Sequence, residues 1–335
     1  MLRLISRPAA LWALAGLVLA ACGQAATSSQ SSGKPLSITV NYTAVSGTNS
    51  AMWTAYEAGY FKAENLDVHF VHIPSTSRAI PALLSGQVQL STIDGLGLAE
   101  AVGKGADLKF IIGVNNKLVF SVMASPKIQS PQDLRGKKIG VTNFGGSTYT
   151  AALQAFRIWG LRSDEATFLQ LSEVPNILAA LQSGQIDAGV VSPPTNSRAR
   201  KAGFKELINL AVDGPPYLSV GIAATGSYIS SHRDALIRFI KAYARGLHRF
   251  KTDKKFAMQA INKFLKLSDQ SVLEDTWTQF SRYEADPPYV DTKALDATVA
   301  DAAVKEPNLQ GAPESKFADT SLVDQLDRSG FFKGL

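Results

Sequence analysis

The sequence predicts an α/β protein built as two similar lobes, and three observations carry that expectation. Short β-rich runs alternate with helical stretches, the pattern of mostly parallel sheets covered by helices. A nine-residue helix–glycine–strand joint, Ala82 to Leu90, recurs 98 residues later as Ala180 to Ala188, with five identities and a Val88/Ile186 exchange. The 335 residues make roughly two domains at about 150 residues each. With 45% hydrophobic and 19% charged residues, the chain can fill large cores and is neither disordered nor collagen-like as a whole.

The first element is not part of that pattern. Met1 to Pro8 carries Arg3 and Arg7 without an acid, and Ala9 to Ala21 is a 13-residue uncharged apolar run, too short for a span of about 20 residues. It ends in Leu19-Ala20-Ala21-Cys22-Gly23, holding the only cysteine of the chain. This string resembles the lipobox of bacterial lipoproteins: small side chains at the scissile bond, then a thiol free to take a diacylglyceryl group. A single cysteine also excludes a disulfide framework and any CxxC metal or redox motif. Residues 1–21 are therefore expected to be a lipoprotein signal peptide and Cys22 the lipidation site. Each buried acyl methylene contributes about 0.8 kcal/mol, so several chains anchor stably. Processing removes Arg3 and Arg7 and takes the formal charge from +6 to +4, which indicates no nucleic-acid partner. Residues 22–34, rich in Ser, Gln, Ala and Gly, form a flexible tether with a reach of roughly 20 Å.

The globular part is expected from Pro35. Leu36 to Tyr42 alternates as a strand, Ser50 to Phe61 reads as a helix and Leu66 to Ile73 alternates again, a βαβ unit. Helix 78–85 stopped by Gly86, strand 88–93, helix 97–103 and strand 108–114 follow. The second series has a strand at Lys138 to Thr142, a Gly-rich turn at Asn143 to Gly146 and a helix from Ser147 to Trp159 ended by Gly160. Next come helix Pro175 to Ser183, Gly184 and strand Ile186 to Val191. A glycine in the left-handed position serves any helix–strand joint, so local geometry explains the repeat as readily as common ancestry does. After a strand-like run, Leu218 to Ala224, the tail is helical. Ser231-His232-Arg233-Asp234 fits a capping box before the stripe Leu236, Ile240, Tyr243, Leu247 and Phe250. Helices at Gln270 to Arg282 and Thr292 to Lys305 are separated by Pro287-Pro288.

Several strings in this order resemble one family. They are Trp53 to Phe61 (WTAYEAGYF), Asn65 to Val68 (NLDV), Leu84 to Gln87 (LSGQ), Asp133 to Val141 (DLRGKKIGV) and Leu181 to Ala188 (LQSGQIDA). Together, behind a lipobox, they resemble the nitrate/sulfonate/taurine and thiamine-pyrimidine family of ABC-transporter substrate-binding proteins, over about Pro35 to Phe280. The resemblance implies a type II periplasmic-binding-protein fold, two α/β lobes joined by two crossing hinge strands, with the ligand between the lobes. The hinges are placed near 119–124 and 218–223, giving a discontinuous lobe 1 (35–120 plus 224–335) and a lobe 2 at 121–223.

Ligands of open α/β sheets bind beyond the carboxyl ends of the strands. Four loops qualify: Thr43 to Asn49, Asp94 to Gly97, Asn143 to Thr148 and Ser192 to Asn196. From them Thr43, Ser46, Asp94, Gly95, Asn143, Gly145, Gly146, Ser147, Thr148, Pro193 and Asn196 are expected to bind ligand. In loop 143–148 the two glycines admit a close backbone approach, and Ser147 or Thr148 opens a helix whose free N–H groups favour an anion; an ordinary tight turn has the same sequence. In the resembling family this loop holds the acidic or polar group of the ligand. Trp53, the twelfth candidate, either stacks on the ligand or packs in the core. Asp94 either reads an amine, amidine or hydroxyl, disfavouring a bare anion, or caps helix 97–103.

No catalytic constellation is found. His69 and His72, three apart on a strand, point to opposite faces and cannot share a metal, and no G-x-S-x-G occurs. The basic residues between Arg233 and Lys255 are a solvated helix face or a docking surface for membrane or permease. The expectation is a monomeric solute-binding lipoprotein that is not an enzyme and needs no cofactor or metal. It would sit on the outer face of the cytoplasmic membrane, or the periplasmic side in a Gram-negative cell. There it would pass a sulfonate, nitrate or pyrimidine-like solute to ABC permease and ATPase subunits. Two alternatives stand beside it: a sensor delivering a closed protein to a receptor, and an enzyme like the thiamine-pyrimidine synthases, which consume pyridoxal phosphate and an active-site histidine.

Overall fold

A computed structural model describes residues 34–335; the signal segment, Cys22 and most of the tether lie outside the described residues. Among the described residues no helix is long and apolar enough to cross a membrane.

The first series runs β1 (Leu36–Tyr42), α1 (Ser50–Glu57), α2 (Tyr60–Ala63), β2 (Leu66–His72) and α3 (Thr76–Leu84), then β3 (Leu90–Asp94), α4 (Gly95–Gly103) and β4 (Lys109–Asn115). The single helix expected at 50–61 is two, because Gly59 takes a left-handed φ of 74° between them. Next come β5 (Ser121–Ala124), β6 (Lys138–Val141), α5 (Ser147–Ile158), β7 (Thr167–Gln170) and α6 (Val174–Gln182). Then β8 (Ala188–Val191), α7 (Thr195–Lys201), β9 (Lys205–Asn209) and α8 (Leu210–Asp213) complete the second series. The tail holds β10 (Val220–Ala224), α9 (Gly226–Ser231), α10 (Arg233–Thr252), α11 (Lys254–Leu265), α12 (Gln270–Tyr283), α13 (Thr292–Ala303) and α14 (Ser321–Arg328).

The strands form two five-stranded sheets with the same topology, β2-β1-β3-β10-β4 and β7-β6-β8-β5-β9. In the first, β1 lies parallel to β2 and β3 while β10 is antiparallel to β3 and β4. The second repeats this: β6 is parallel to β7 and β8, and β5 is antiparallel to β8 and β9. The chain leaves sheet 1 after β4 and enters sheet 2 as β5, then returns as β10, so each sheet receives its antiparallel strand directly after a crossing. The repeated joint is α3–β3 in one lobe and α6–β8 in the other, with Gly86 and Gly184 at φ of 74° and 72° ending the helices.

Helices cover both faces of each sheet, as buried parallel strands require. One face of sheet 1 shares a core with α1 and α10, the other with α4 and α13. On α10 the expected stripe of Leu236, Ile240, Tyr243, Leu247 and Phe250 is buried. Gly246 lets α1 approach, since a β-carbon there would stand 2.4 Å from that of Ala55. The basic residues of this region are largely paired: Arg245 with Glu64, Arg249 with Asp253, Lys254 with Glu274. In sheet 2, α5 packs one face and α6 the other.

Candidate functional site

The parallel strands end in loops that meet around one cavity enclosing about 670 Å³ of space between atoms, open solvent at the mouth included. Corresponding loops of the two lobes build it. After β1 and β6 stand 43–48 and 142–148; after β2 and β7, 75–76 and 172–174; at the ends of β3 and β8, Asp94 and Ser192. Asn115 at the end of β4, the crossing residues Val119, Phe120 and Ser219, with Val220 of β10 and Phe280 of α12, complete the wall.

Seven of the sequence-expected residues line this cavity: Thr43, Ser46, Asp94, Asn143, Gly146, Ser147 and Thr148. Five do not. Trp53 is 1% exposed; its ring stacks on Phe264 at 4.7 Å and meets Tyr42 edge-on at 6.0 Å, so it is core. Gly95 lies just behind the wall, its N–H donating to the Ser219 carbonyl (3.2 Å). A β-carbon there would stand 2.1 Å from the Leu218 carbonyl oxygen, so only glycine fits. Gly145, at φ of 75° with no neighbour for a β-carbon within 4 Å, shapes the turn without facing the cavity. The Pro193 carbonyl accepts the Gly47 N–H and the Ser46 hydroxyl, both at 3.3 Å. Asn196 is spent on protein: its amide donates to Gln279 (3.0 Å) and Ser121 (3.3 Å) and its oxygen accepts the Ser197 N–H (2.7 Å). Two expected loops are also shorter than read, since α4 begins at Gly95 and α7 at Thr195.

Asp94 takes the capping role offered for it and also stands in the cavity wall. Oδ1 caps α4 by accepting the Gly97 N–H at 2.7 Å, while Oδ2, itself buried, has no hydrogen-bond partner among the described residues. Burial pushes its carboxyl up to about 6 against the hydrogen bonds from Thr76 and Gly97. The Asn115 oxygen accepts from Thr48 Oγ1 (2.8 Å), leaving buried Nδ2 unpartnered. Glu173 comes from lobe 2 just before α6 and faces His72 of lobe 1 at 3.7 Å. Partial burial raises its carboxyl, opposed by His72 and Arg78. The turn into α5 is tied down by Thr148 Oγ1, which accepts the Thr142 N–H (2.9 Å); at its N-cap Gly146 supplies no side-chain cap, and the first two residues of the helix, Ser147 and Thr148, line the cavity.

Thr48, Ser75, Thr76, Asn115, Ser172, Glu173, Ser219 and Phe280 were not legible as site residues. Glu173 follows β7, a strand with no alternating signal, and Pro175 marked only the start of the next helix. Asn115 was within reach, one residue past the expected strand 108–114.

Contacts across the cleft hold the lobes together. Ser46 and Ser192 share a hydrogen bond of 3.0 Å. On one flank, α7 meets α12: Arg200 pairs with Asp275 at 2.7 Å, Lys201 with Asp269 at 2.5 Å, and the Ser197 hydroxyl donates to Asp275. On the other, Gln154 (2.6 Å) and Arg157 (2.9 Å) of α5 both reach Asp301 of α13.

Two α/β lobes closing on a central cavity define the periplasmic binding protein fold, and solved structures agree. The alkanesulfonate-binding protein SsuA from Xanthomonas axonopodis pv. citri, bound to MOPS, superposes with a TM-score of 0.69 at 19% identity, over 83% of this chain and 95% of that one. A Candida albicans protein described as exhibiting the generic periplasmic binding protein structural fold gives 0.65 at 18% identity, over 87% and 94%. Residues 48–254 match the NMT1/THI5-like family, and the chain belongs to it. Among curated proteins, the riboflavin-binding protein RibY of Chloroflexus aurantiacus is 24% identical over 203 residues, 58% of this chain and 56% of RibY. The chain thus spans little more than half the length of that relative.

Proposed function

We propose that this chain is an extracytoplasmic solute-binding lipoprotein that holds a small solute between its lobes and delivers it to an ABC importer. The observation that supports this most is the cavity itself: corresponding loops of both lobes line it, and hydrogen bonds cross its rim from Ser46 and Gly47 to Ser192 and Pro193. A ligand touching both lobes favours the closed arrangement because only there are all its contacts made. A ligand indifferent to closure would shift nothing. The ligand-binding residues are then the seven expected ones that line the cavity, joined by Asn115 and Glu173. Among the described residues the lining holds no histidine or lysine, which favours capture over a synthase that consumes a histidine and pyridoxal phosphate.

Sulfonates and flavins are solutes to screen because the alkanesulfonate-binding SsuA and the riboflavin-binding RibY are similar to this chain, and nitrate and pyrimidines join them from the family the sequence resembles. A thermal-shift panel over these classes tests the reading. A bound ligand at 100 times its Kd adds about 2.7 kcal/mol of stability; no shift, with no heat in calorimetry, would contradict solute capture. The anchor is tested separately: Cys22→Ser is expected to move the protein from the membrane pellet to the soluble fraction, and retention in the pellet would refute lipidation.

A further inference from the structure

The contacts that hold the lobes together differ in the chemistry of their charges. On the two flanks the ion pairs join Arg200 to Asp275, Lys201 to Asp269 and Arg157 to Asp301, side-chain types that ordinarily keep their charge from pH 5 to 8. At the cavity rim the pair is of another kind. His72, at the end of β2 in lobe 1, stands with Nε2 3.7 Å from Glu173 Oε1 of lobe 2, and among the described residues no other histidine forms an ion pair across the cleft. Imidazole is the side chain whose charge changes between pH 5 and 8. Two further groups face this pair. The Tyr42 ring of β1 lies flat on the imidazole, with centroids 4.9 Å apart and planes 16° apart, which holds the ring in place. Arg78 of α3 acts on Glu173 from the same lobe as His72.

We infer that His72 and Glu173 form a proton-operated latch: protonation of His72 draws the two lobes together, so that closure strengthens as pH falls from about 8 to about 6. This rests on the closure proposed above and adds its control. The sign follows from the geometry. With the lobes apart the imidazole is without its carboxylate, and with them closed Glu173 stabilises the proton it takes up, so the closed form binds more protons and acidification favours it. Arg78 keeps its charge throughout and supplies a part of the attraction that does not vary with pH. The Tyr42 phenol, raised by burial and by Glu173, stays neutral in this window. Glu173 sets the acid limit. Partial burial raises its carboxyl, and the latch weakens again once that group takes up a proton. Glu173 also lines the cavity, which puts the latch beside a bound solute. Both side chains are 27% exposed, and a pair so wetted is worth about two- to fivefold in the ratio of closed to open protein.

Small-angle scattering of the full chain with Cys22→Ser, without solute and at about pH 8 and about pH 6, tests the inference. The parent is expected to shift toward the closed form, seen as a smaller radius of gyration at the lower pH. His72→Gln is expected to remove that shift. His72→Arg, which keeps a stacking cation at every pH, is expected to give the more compact form at the higher pH as well. Glu173→Gln removes the other partner from the opposite lobe and is expected to abolish the shift too, so the test does not hang on the folding of one variant. A radius independent of pH in the parent, or the parent's shift retained in His72→Gln and Glu173→Gln, overturns the latch. Its failure is distinct from that of solute capture. A radius independent of pH in a chain that binds a solute of the panel removes the latch alone, whereas the expected shift in a chain that binds none keeps the latch and removes capture.

Discussion

The two lobes share a strand order and differ at the loops that meet the cavity. In lobe 1 side chains of the loops cap the helices that follow or brace a neighbouring strand: Asp94 caps α4, Ser46 caps the short helix at 47–49, and Thr48 engages Asn115. In lobe 2, α5 has Gly146 at its N-cap and α7 has Pro194, neither with a side-chain cap, and the Ser192 hydroxyl and the Pro193 carbonyl reach across to lobe 1. One lobe is thus a finished floor carrying a buried acid, and the other presents free backbone groups and rim contacts. The offset of 98 residues that relates the lobes places Gly95 opposite Pro193 and Asp94 opposite Ser192, so the divergence lies at the very tip of corresponding strands.

The largest effect is expected from the tightest point of that floor. Gly95→Ala sets a β-carbon against a backbone carbonyl that no rotamer can move, and chemical denaturation is expected to show a loss of about 3 kcal/mol. In the lobe 2 turn after β6, Gly145→Ala meets no neighbour and costs only its left-handed φ, about 1 kcal/mol. Equal losses would erase the contrast between a packed floor and an open turn.

Asp94 gives a test with a sign. Its folded value of about 6 lies above its ordinary 3.8, so folding favours the protonated form. The stability it contributes is full below about 4 and is lost as pH rises through about 6. Asp94→Asn keeps a capping oxygen and removes that loss. The variant is expected to melt higher than the parent at pH 7.5, by up to about 3 kcal/mol, and to lack the parent's decline between pH 4 and 6. Melting lower at pH 7.5 would mean that the ionised carboxylate stabilises the floor.

The flanking seam should act on closure and leave each lobe intact. Asp275→Ala removes the partner shared by Ser197 and Arg200. Solution scattering is expected to show a larger radius of gyration, with about tenfold weaker solute binding and little change in melting temperature, since partly exposed pairs add little to stability. Weaker binding with unchanged dimensions would place Asp275 in recognition instead.

The sequence disclosed strands whose residues alternate, as in β1 and β2, or are buried and apolar throughout, as in β8 and β10. It hid β7 and β9, which sit at sheet edges with mostly exposed or half-exposed residues, and α7, which follows Pro193-Pro194. The site was legible where a loop follows a recognised strand, as at Thr43, Asp94 and 143–148. It was hidden at Glu173, behind an unrecognised edge strand, and at Phe280, brought in from a distant helix. Trp53 shows the limit from the other side: an aromatic beside a site loop has the same sequence whether it stacks on a solute or on Phe264.

The most direct test of two lobes closing on a solute uses the rim. Ser46 and Ser192 place their hydroxyl oxygens 3.0 Å apart across the cleft. In a Cys22→Ser background, Ser46→Cys with Ser192→Cys is expected to form a disulfide faster when a solute found by the panel is present. Once oxidised, the protein should hold that solute without measurable exchange until a reductant is added. A crosslinked protein that exchanges solute as fast as its reduced form would contradict capture between the lobes.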